Sequence, residues 1–384
     1  MDFASKKHLY KKEKFNLPRI IKKNKNIFFG SGGSDNITIV HNDIAIKVIP
    51  EFNKHPICSK FNQDQKEIEH YILFTKNFIL KNITPHIVGY YSHYKLYDID
   101  PLFPKKCMNQ NDMLLIDPKK LDKTLDKLCY LKKLRNNDTL SYKADILILE
   151  KCSDTIEKEI KNILNLQNKD KYVILSNFIH RTIFQFMYTM ACIQKKYPKF
   201  IHNDMFLRNI LGVNETEFSD NDYVEYIYNN KSYYLPANGF YLKINDFGTS
   251  LNPPKIVSTL LDDIKFDPSR SMAIDDPKRD IYTFLYDYYN GQNLGHSSVM
   301  KLINNKSNNT KKYIRKQFAK YIDVTIIDKI HKHNERLLNR TWNIKDIKIL
   351  QDSVKLPNSY FKNDIFKKYE YINDEYNIVK TFSL

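Results

Sequence analysis

The segment IHNDMFLRNIL, residues 201–211, decides how this chain is interpreted. Asp204 and Asn209 stand five positions apart in it, between a long apolar run at helical spacing and a short apolar run. This pattern predicts a polar loop that joins a helix to a strand. A second segment, LKINDFG at residues 242–248, places Asp246 after another short apolar run. Carboxylate and amide oxygens at fixed positions can bind a cation or accept a proton, so the two segments predict a site for chemistry.

The region upstream predicts short strands and a helix. Ile27–Phe29 precedes the glycine-rich turn at 30–33, and the alternating apolar residues at 37–40 and 44–48 fit two strands joined by a tight turn. Apolar residues at helical spacing predict a helix over 64–81.

The remaining elements are predicted to be mainly helical. The apolar run 146–149 predicts a buried strand, and the polar stretch 101–142 before it is interpreted as an irregular insertion. A long helix is predicted over 172–197, and a hairpin over 223–243. From Asp280 onward the pattern is mostly helical.

The fold class predicted from these elements is α+β, with strands up to Glu150 and helices after it. We expect a basic arm at 1–26, a strand-rich part at 27–150 and a helical part at 151–384 that carries a hairpin insertion at about 214–240.

Composition limits the possible functions. The chain has 384 residues and a formal net charge of +17, of which the arm 1–26 holds nine basic and two acidic groups. We interpret the arm as solvated and predict no specific nucleic-acid binding. The five cysteines form no C-x-x-C pair, which predicts reduced thiols without disulfides or zinc. No apolar run reaches the about 20 residues that span a bilayer, and no apolar stretch behind Met1 resembles a secretory signal.

In their order along the chain, these motifs resemble the signatures of the protein kinase family, which are a glycine-rich loop, V-A-I-K, H-R-D-x-x-x-x-N and D-F-G. The matching pieces are residues 30–33, 44–47, 202–209 and 246–248, and the resemblance covers about residues 27–290. It implies a bilobal protein-kinase-like fold that binds ATP and Mg²⁺, or Mn²⁺, between its lobes.

The resemblance also implies roles for individual residues. Asp204 is the catalytic base that orients the acceptor hydroxyl and takes its proton. Asn209 and Asp246 are the metal ligands, and Lys47 binds the α- and β-phosphates. The resemblance further places around the nucleotide Gly30, Ser31, Gly32, Gly33, Ile37, Ala45, Leu149, Glu150, Cys152 and Asp154.

Lys47 needs a carboxylate partner on the following helix, and Glu67 and Glu69 are both available. Glu69 matches the family's E-x-x-I-L register and is the predicted partner. Asp280 is expected to accept hydrogen bonds from the backbone of the catalytic loop. For Asp154, capping a helix is the alternative to contact with the ribose.

The chain departs from the family pattern at several positions. Asp35 replaces the third glycine of the loop, and Asn203 replaces the arginine of H-R-D. Phe206 stands where serine/threonine kinases carry a lysine, and Arg208 stands where tyrosine kinases carry an arginine. These departures leave the choice between serine/threonine and tyrosine hydroxyls open.

The run 184–204, the hairpin before Asp246 and the missing A-P-E motif resemble the kinases of large cytoplasmic DNA viruses, including poxvirus virion kinases and kinases of giant amoebal viruses. This resemblance implies serine/threonine specificity, viral structural proteins as substrates, and a location in the host cytoplasm or the virion. A monomer is the default expectation.

Two other functions fit parts of the pattern. Choline and aminoglycoside kinases share H-x-D-x-x-x-x-N, but Gly248 and the basic charge favour a protein acceptor. A pseudokinase that only binds partners is the second alternative. The intact Lys47, Asp204, Asn209 and Asp246 argue against it.

Overall fold

The chain divides into two compact units. The first comprises Met1–Ile72 and Gly89–Lys151, and the second comprises Leu73–Val88 and Cys152–Leu384. No helix in the part of the chain that is described is long and apolar enough to cross a membrane. The computed structural model describes residues 28–30, 37–53, 59–103, 123–250, 276–290, 298–329, 349–350, 352–362, 364–372 and 375–384.

The first unit contains an antiparallel sheet with the strand order β1-β2-β3-β5-β4. The near-continuous apolar runs of β3 and β5 fit their burial: consecutive residues at 46–49 and 146–149 are buried, so both faces of these strands are covered. Ile46 and Ile148, which pair across these two strands, are fully buried. The strands are β1 (Phe28–Gly30), β2 (Ile37–His41), β3 (Ile44–Phe52), β4 (Tyr90–Leu96) and β5 (Leu140–Glu150).

Two α-helices follow strands of this unit. Helix α1 (Ser59–Phe74) starts in the first unit and continues into the second as a π-helical turn, Thr75–Ile79. Helix α2 (Lys123–Asn136) lies within the stretch predicted to be irregular, and β5 already begins at Leu140. The prediction of irregular structure over 101–142 is therefore wrong for its second half, because the apolar residues of α2 do not align along one face of the helix and gave no helical pattern.

The second unit is built around one long helix, α4 (Lys171–Lys196), which is buried along most of its length. It matches the predicted helix to within one residue at each end. The other helices of this unit are α3 (Ile156–Asn165), α5 (Arg279–Tyr289), α6 (Val299–Leu302), α7 (Asn308–Phe318) and α8 (Pro357–Lys362), with 3₁₀ turns at Leu207–Asn209, Phe247–Thr249 and Asp364–Tyr369.

Two three-stranded sheets also belong to the second unit, with the orders β10-β7-β6 and β11-β8-β9. The helices expected to dominate after Glu150 are therefore accompanied by two small sheets, one of which contains the predicted hairpin. The strands are β6 (Asp154–Thr155), β7 (Ile210–Glu215), β8 (Asp222–Tyr228), β9 (Lys231–Pro236), β10 (Gly239–Ile244) and β11 (Asn377–Ser383).

The predicted hairpin is present as β8 and β9, which pair from Tyr228 and Lys231 outward. Its two turn residues, Asn229 and Asn230, have φ angles of 51° and 62°. A two-residue hairpin turn with positive φ at both positions matches the twist of the strands, and asparagine tolerates this conformation.

The last strand, β11, pairs in parallel with β8 of this hairpin. Phe382 is buried against Tyr226, and the Tyr188 hydroxyl of α4 donates a hydrogen bond of 3.1 Å to the Phe382 carbonyl. The Ser383 amide donates to the Asn82 carbonyl at 3.0 Å. The region after Asp280 was expected to be mostly helical, and β11 is a strand that this expectation did not include. Phe382 is the one buried side chain of β11, so no alternating pattern marks the strand.

Phe184 of α4 lies at the centre of an aromatic cluster that joins the helix, the hairpin and the C-terminal segments. Edge-on and offset ring contacts of this kind add stability beyond the area they bury. The rings within about 6 Å of Phe184 belong to Tyr188, Tyr226, Tyr233, Phe361, Phe366 and Tyr369.

Two histidines of the second unit are buried in a neutral state. His86 Nδ1 donates to the Leu242 carbonyl at 3.0 Å, and its Nε2 accepts from the Tyr226 hydroxyl at 2.9 Å. His180 contacts Gln317 Oε1 at 3.0 Å and the Tyr321 hydroxyl. Burial lowers the pKa of His86 well below its ordinary value and lowers that of His180 to about 4.

We expect that replacing Phe382 with alanine lowers the free energy of unfolding by about 3–5 kcal/mol, because a buried ring is lost and a cavity remains. Ile378→Ala in the same strand is the control: Ile378 is 43% exposed, against 3% for Phe382. The control should change stability by no more than about 0.5 kcal/mol. Urea unfolding measures both, and equal losses would contradict the packing of β11.

We also expect stability to fall as the pH drops from about 6.5 towards 4. Below about 6.5 the histidines of the unfolded chain take up protons that buried His86 and His180 do not, so each contributes a slope of up to about 1.4 kcal/mol per pH unit. Urea unfolding at pH 7 and 5 should show a smaller slope for His180→Gln. The control His93→Gln alters an exposed histidine and should keep the slope of the unchanged protein.

Candidate active site

In the first unit, Lys47 of β3 forms a buried ion pair with Glu67 of α1. The side chains are 9% and 2% exposed, so both charges are withdrawn from water. The prediction of Glu69 as the partner is therefore wrong.

The position of Glu67 follows from the buried face of α1. Glu67, Tyr71 and Phe74 are spaced by four and three residues, which places them on one face of the helix, and all three are buried. Glu69 stands 200° around the helix from Glu67 and is only half-buried. In the sequence, the apolar residues Tyr71 and Phe74 at helical spacing from Glu67 point to Glu67. The E-x-x-I-L register of the family points to Glu69 instead.

Some of the other residues predicted to surround the nucleotide lie in the described part of this unit. Gly30 ends β1 opposite Thr38, and Ala45 of β3 pairs with Leu149 of β5. Glu150 is buried, and its Oε2 accepts a hydrogen bond of 3.0 Å from the Gly89 amide. Ile37 begins β2 opposite Val48. The predicted phosphate-loop residues Ser31, Gly32 and Gly33 lie outside the described residues, as does Asp35.

In the second unit, Cys152 is half-buried and Asp154 is buried in β6. Asp154 forms an ion pair with Lys158, with Oδ1 and Nζ 2.5 Å apart. The alternative role of Asp154 as the helix cap is wrong, because Thr155 Oγ1 accepts the Lys158 amide hydrogen at 3.1 Å and caps α3.

The loop between α4 and β7 is held in place by two carboxylates of α5. Asp280 Oδ2 and Oδ1 accept the amide hydrogens of His202 and Asn203 at 2.7 and 3.0 Å. Asp287 Oδ2 accepts the Leu207 amide hydrogen at 2.7 Å. The predicted hydrogen-bonding role of Asp280 is thus observed. Asp287 was missed, although its position seven residues further places it on the same face of α5.

Burial raises the pKa of Asp280, and the electrostatic interaction with His202 and the two amide donors act against this shift. Charge-assisted hydrogen bonds from backbone amides are stronger than neutral ones. They stabilise a carboxylate that is only 1% exposed.

Asp204 has both carboxylate oxygens engaged. Its Oδ1 lies 2.5 Å from an Arg208 guanidinium nitrogen, and its Oδ2 accepts from Asn209 Nδ2 at 2.8 Å. Asn209 Nδ2 also donates to the Asp204 carbonyl at 2.8 Å. The carboxylate is 20% exposed, so it is fixed in orientation but still accessible. Arg208 additionally stacks over the Phe206 ring, at 4.7 Å.

Asn209 and Asp246 lie at the same end of a strand pair. Asn209 immediately precedes β7, Asp246 follows β10, and the two antiparallel strands pair at Ile210 and Ile244. The Asn245 amide donates to the Asn209 carbonyl at 3.0 Å, which links the two segments. The structure therefore brings together three residues predicted for the second unit: Asp204, Asn209 and Asp246.

Asp246 has left-handed backbone angles, with φ 66° and ψ 72°, which aspartate tolerates better than most residues. Phe247 after it is fully buried against Phe74 and His202, with ring centroids 5.0 and 5.1 Å away. Buried Phe247 thus holds the segment in place while Asp246 precedes it at the strand end.

Asn203 also has a positive φ, 68°, which asparagine adopts more readily than arginine. Its Nδ2 donates to the Thr249 carbonyl at 3.3 Å. The departure from H-R-D at this position therefore has a local structural reason.

The donor set suits a hard divalent cation such as Mg²⁺. Asn209 directs its amide nitrogen to Asp204, which leaves the amide oxygen as its atom for a metal. Asp246 adds a carboxylate. Within the described ranges, no group of three or more His, Cys, Asp or Glu side chains could hold a metal. Two protein oxygens fit Mg²⁺, which is commonly bound by one or two carboxylates together with substrate phosphates.

These features define a protein-kinase-like site. The sequence of a known protein supports this class. The chain is 34% identical over 379 residues to the "Putative serine/threonine-protein kinase" of Acanthamoeba polyphaga mimivirus, with 92% of this chain and 91% of the relative covered. No protein-family model matches the chain. The chain belongs to the protein kinase family, in a branch shared with this giant-virus protein. The expected α+β protein-kinase-like fold is thereby confirmed.

We expect Glu67→Ala to lower the free energy of unfolding by about 3–5 kcal/mol, because it leaves the Lys47 ammonium buried without its carboxylate. Glu69→Ala, two residues along the same helix, is the matched control and should cost much less. The double variant Lys47→Met, Glu67→Leu should recover most of the loss, since no buried charge is left unpaired. Urea unfolding of the four proteins tests this, and equal losses for the two alanine variants would refute the pairing.

Proposed function

We propose that this protein transfers the γ-phosphoryl group of ATP to serine or threonine hydroxyls of protein substrates, with Mg²⁺ or Mn²⁺ as the metal. Family membership supports a kinase, and the relative's name supports serine/threonine specificity. Because that relative comes from a giant virus, we extend the proposal to viral structural proteins as substrates, in the host cytoplasm or the virion.

The observation that carries the proposal is the fixed and still accessible carboxylate of Asp204. A catalytic base must present a fixed, ionised carboxylate to the acceptor hydroxyl. Arg208 and Asn209 each hold one oxygen of Asp204 and so fix the orientation of its carboxylate. With its remaining lone pairs Asp204 orients the hydroxyl and accepts its proton during transfer.

The other residues position the nucleotide. Phosphoryl transfer depends almost entirely on positioning and on stabilisation of charge. Lys47, whose ammonium Glu67 holds on a central strand, binds the α- and β-phosphates. Asn209 and Asp246 supply the oxygen ligands for the metal, which neutralises charge on the phosphates when bound.

Asp204→Asn should lower the rate of phosphoryl transfer by about 100- to 10,000-fold, because the general base is lost. Asp220→Asn, an exposed aspartate of the same unit, is the matched control and should keep the full rate. The assay uses γ-labelled ATP, Mg²⁺ or Mn²⁺ and a mixed protein acceptor, followed by phosphoamino-acid analysis.

A parallel thermal-unfolding titration separates chemistry from binding. ATP with metal at 100 times its Kd should stabilise the unchanged protein and Asp204→Asn alike, by about 2.7 kcal/mol. Label that persists in Asp204→Asn would refute the assignment of the base. Label on tyrosine would refute the serine/threonine specificity, and ATP binding without labelled protein would refute the protein-kinase activity.

A further inference from the structure

The second unit contains a cavity of about 410 Å³, and none of its lining residues belongs to the candidate active site. It is bordered by the segment 319–325 after α7, by Ser353 and Lys355, and by Tyr360 and Ile365 around α8. A volume in the range of about 300–1,000 Å³ is typical of pockets that bind ligands larger than a single small ion.

Cations concentrate at this cavity. Lys320 and Lys355 line it, and Lys368, which is not a lining residue, lies close enough to Lys320 for the two ammonium groups to repel each other. Lys320 Nζ lies 3.1 Å from Gln317 Oε1. No carboxylate lies within ion-pair distance of Lys320, Lys355 or Lys368 in the part of the chain that the structure describes.

The lysines also act on one another. The pKa of Lys368 is lowered to about 8, mainly by burial of its ammonium group and secondly by the nearby Lys320 cation. Burial likewise lowers the pKa of Lys320, with Lys316 as the second cause. An anion placed among these ammonium groups would relieve their mutual repulsion.

Asp323 is the one carboxylate among the residues that line the cavity. Its Oδ1 accepts the amide hydrogens of Thr325 and Ile326 at 2.9 and 3.2 Å. Asp323 therefore serves the local backbone. Its charge weakens the positive potential of the cavity without cancelling it, because three lysines stand against it.

We propose that this cavity binds the phosphate group of a phosphorylated polypeptide segment, held by Lys320, Lys355 and Lys368. Ammonium groups act as point charges that suit a phosphate. The choice of a protein segment as the source of the phosphate rests on the proposed function, since such a kinase produces phosphate esters on proteins. The binding of an anion in the cavity does not depend on the proposed function.

The test is a fluorescence-polarisation titration of the full chain with a labelled phosphoserine peptide whose other residues are uncharged. The double variant Lys320→Gln, Lys355→Gln should bind the peptide about tenfold more weakly or worse. The matched control Lys301→Gln, Lys312→Gln removes the same charge from two exposed lysines outside the cavity and should bind within about twofold of the unchanged protein. Asp323→Asn keeps a capping oxygen, removes the negative charge, and should bind several-fold more tightly.

Competition identifies the ligand. The unphosphorylated peptide should not displace the probe, and inorganic phosphate should displace it only at much higher concentration. Equal weakening in both double variants would refute the site, since it would show attraction to net charge alone. Free phosphate that binds as tightly as the peptide would refute a polypeptide ligand, and stronger displacement by a single-stranded oligonucleotide would refute a phosphoprotein ligand.

Binding of a synthetic phosphopeptide needs no catalysis, so this result and that of the transfer assay are independent. A second double variant, Lys320→Arg, Lys355→Arg, controls for loss of binding through misfolding. It keeps both positive charges and should retain most of the binding. Loss of binding in this variant while it unfolds like the unchanged protein would also contradict the electrostatic origin of the site.

Discussion

The candidate active site depends on two buried carboxylates of one helix. Asp280 and Asp287 of α5 accept backbone amide hydrogens from His202, Asn203 and Leu207. Burying a carboxylate is unfavourable unless hydrogen bonds compensate for the lost water. The loop is the element that supplies those donors, so its backbone is fixed where they meet. The positions of the Asp204 and Asn209 side chains on this loop therefore depend on the hydrogen bonds to Asp280 and Asp287.

The same logic of paired polar groups recurs in both units. Lys47 and Glu67 are buried together in the first unit, and Asp204 is held by Arg208 and Asn209 in the second. Each of these side chains is held in one orientation by a neighbouring partner. These contacts orient the side chains on which the proposed function depends.

The core of the second unit fixes the helix from which the loop between α4 and β7 extends. Helix α4 is buried along most of its length, and Phe184 on it contacts rings from the hairpin and from the C-terminal segments. β11 completes the sheet of the hairpin, and the Tyr188 hydroxyl binds its backbone. The last residues of the chain therefore belong to the core that carries the loop, and the cavity rich in lysine lies in the same unit.

The sequence by itself determined the motifs, because Asp204, Asn209 and Asp246 lie in short segments whose spacing can be read directly from the sequence. It also determined α4 and the β8–β9 turn, where local pattern and packing agree. Only the tertiary structure decided which glutamate pairs with Lys47 and that β11 joins the hairpin. Those choices depend on which face of an element is buried and on contacts between residues far apart in sequence, which local propensity does not encode.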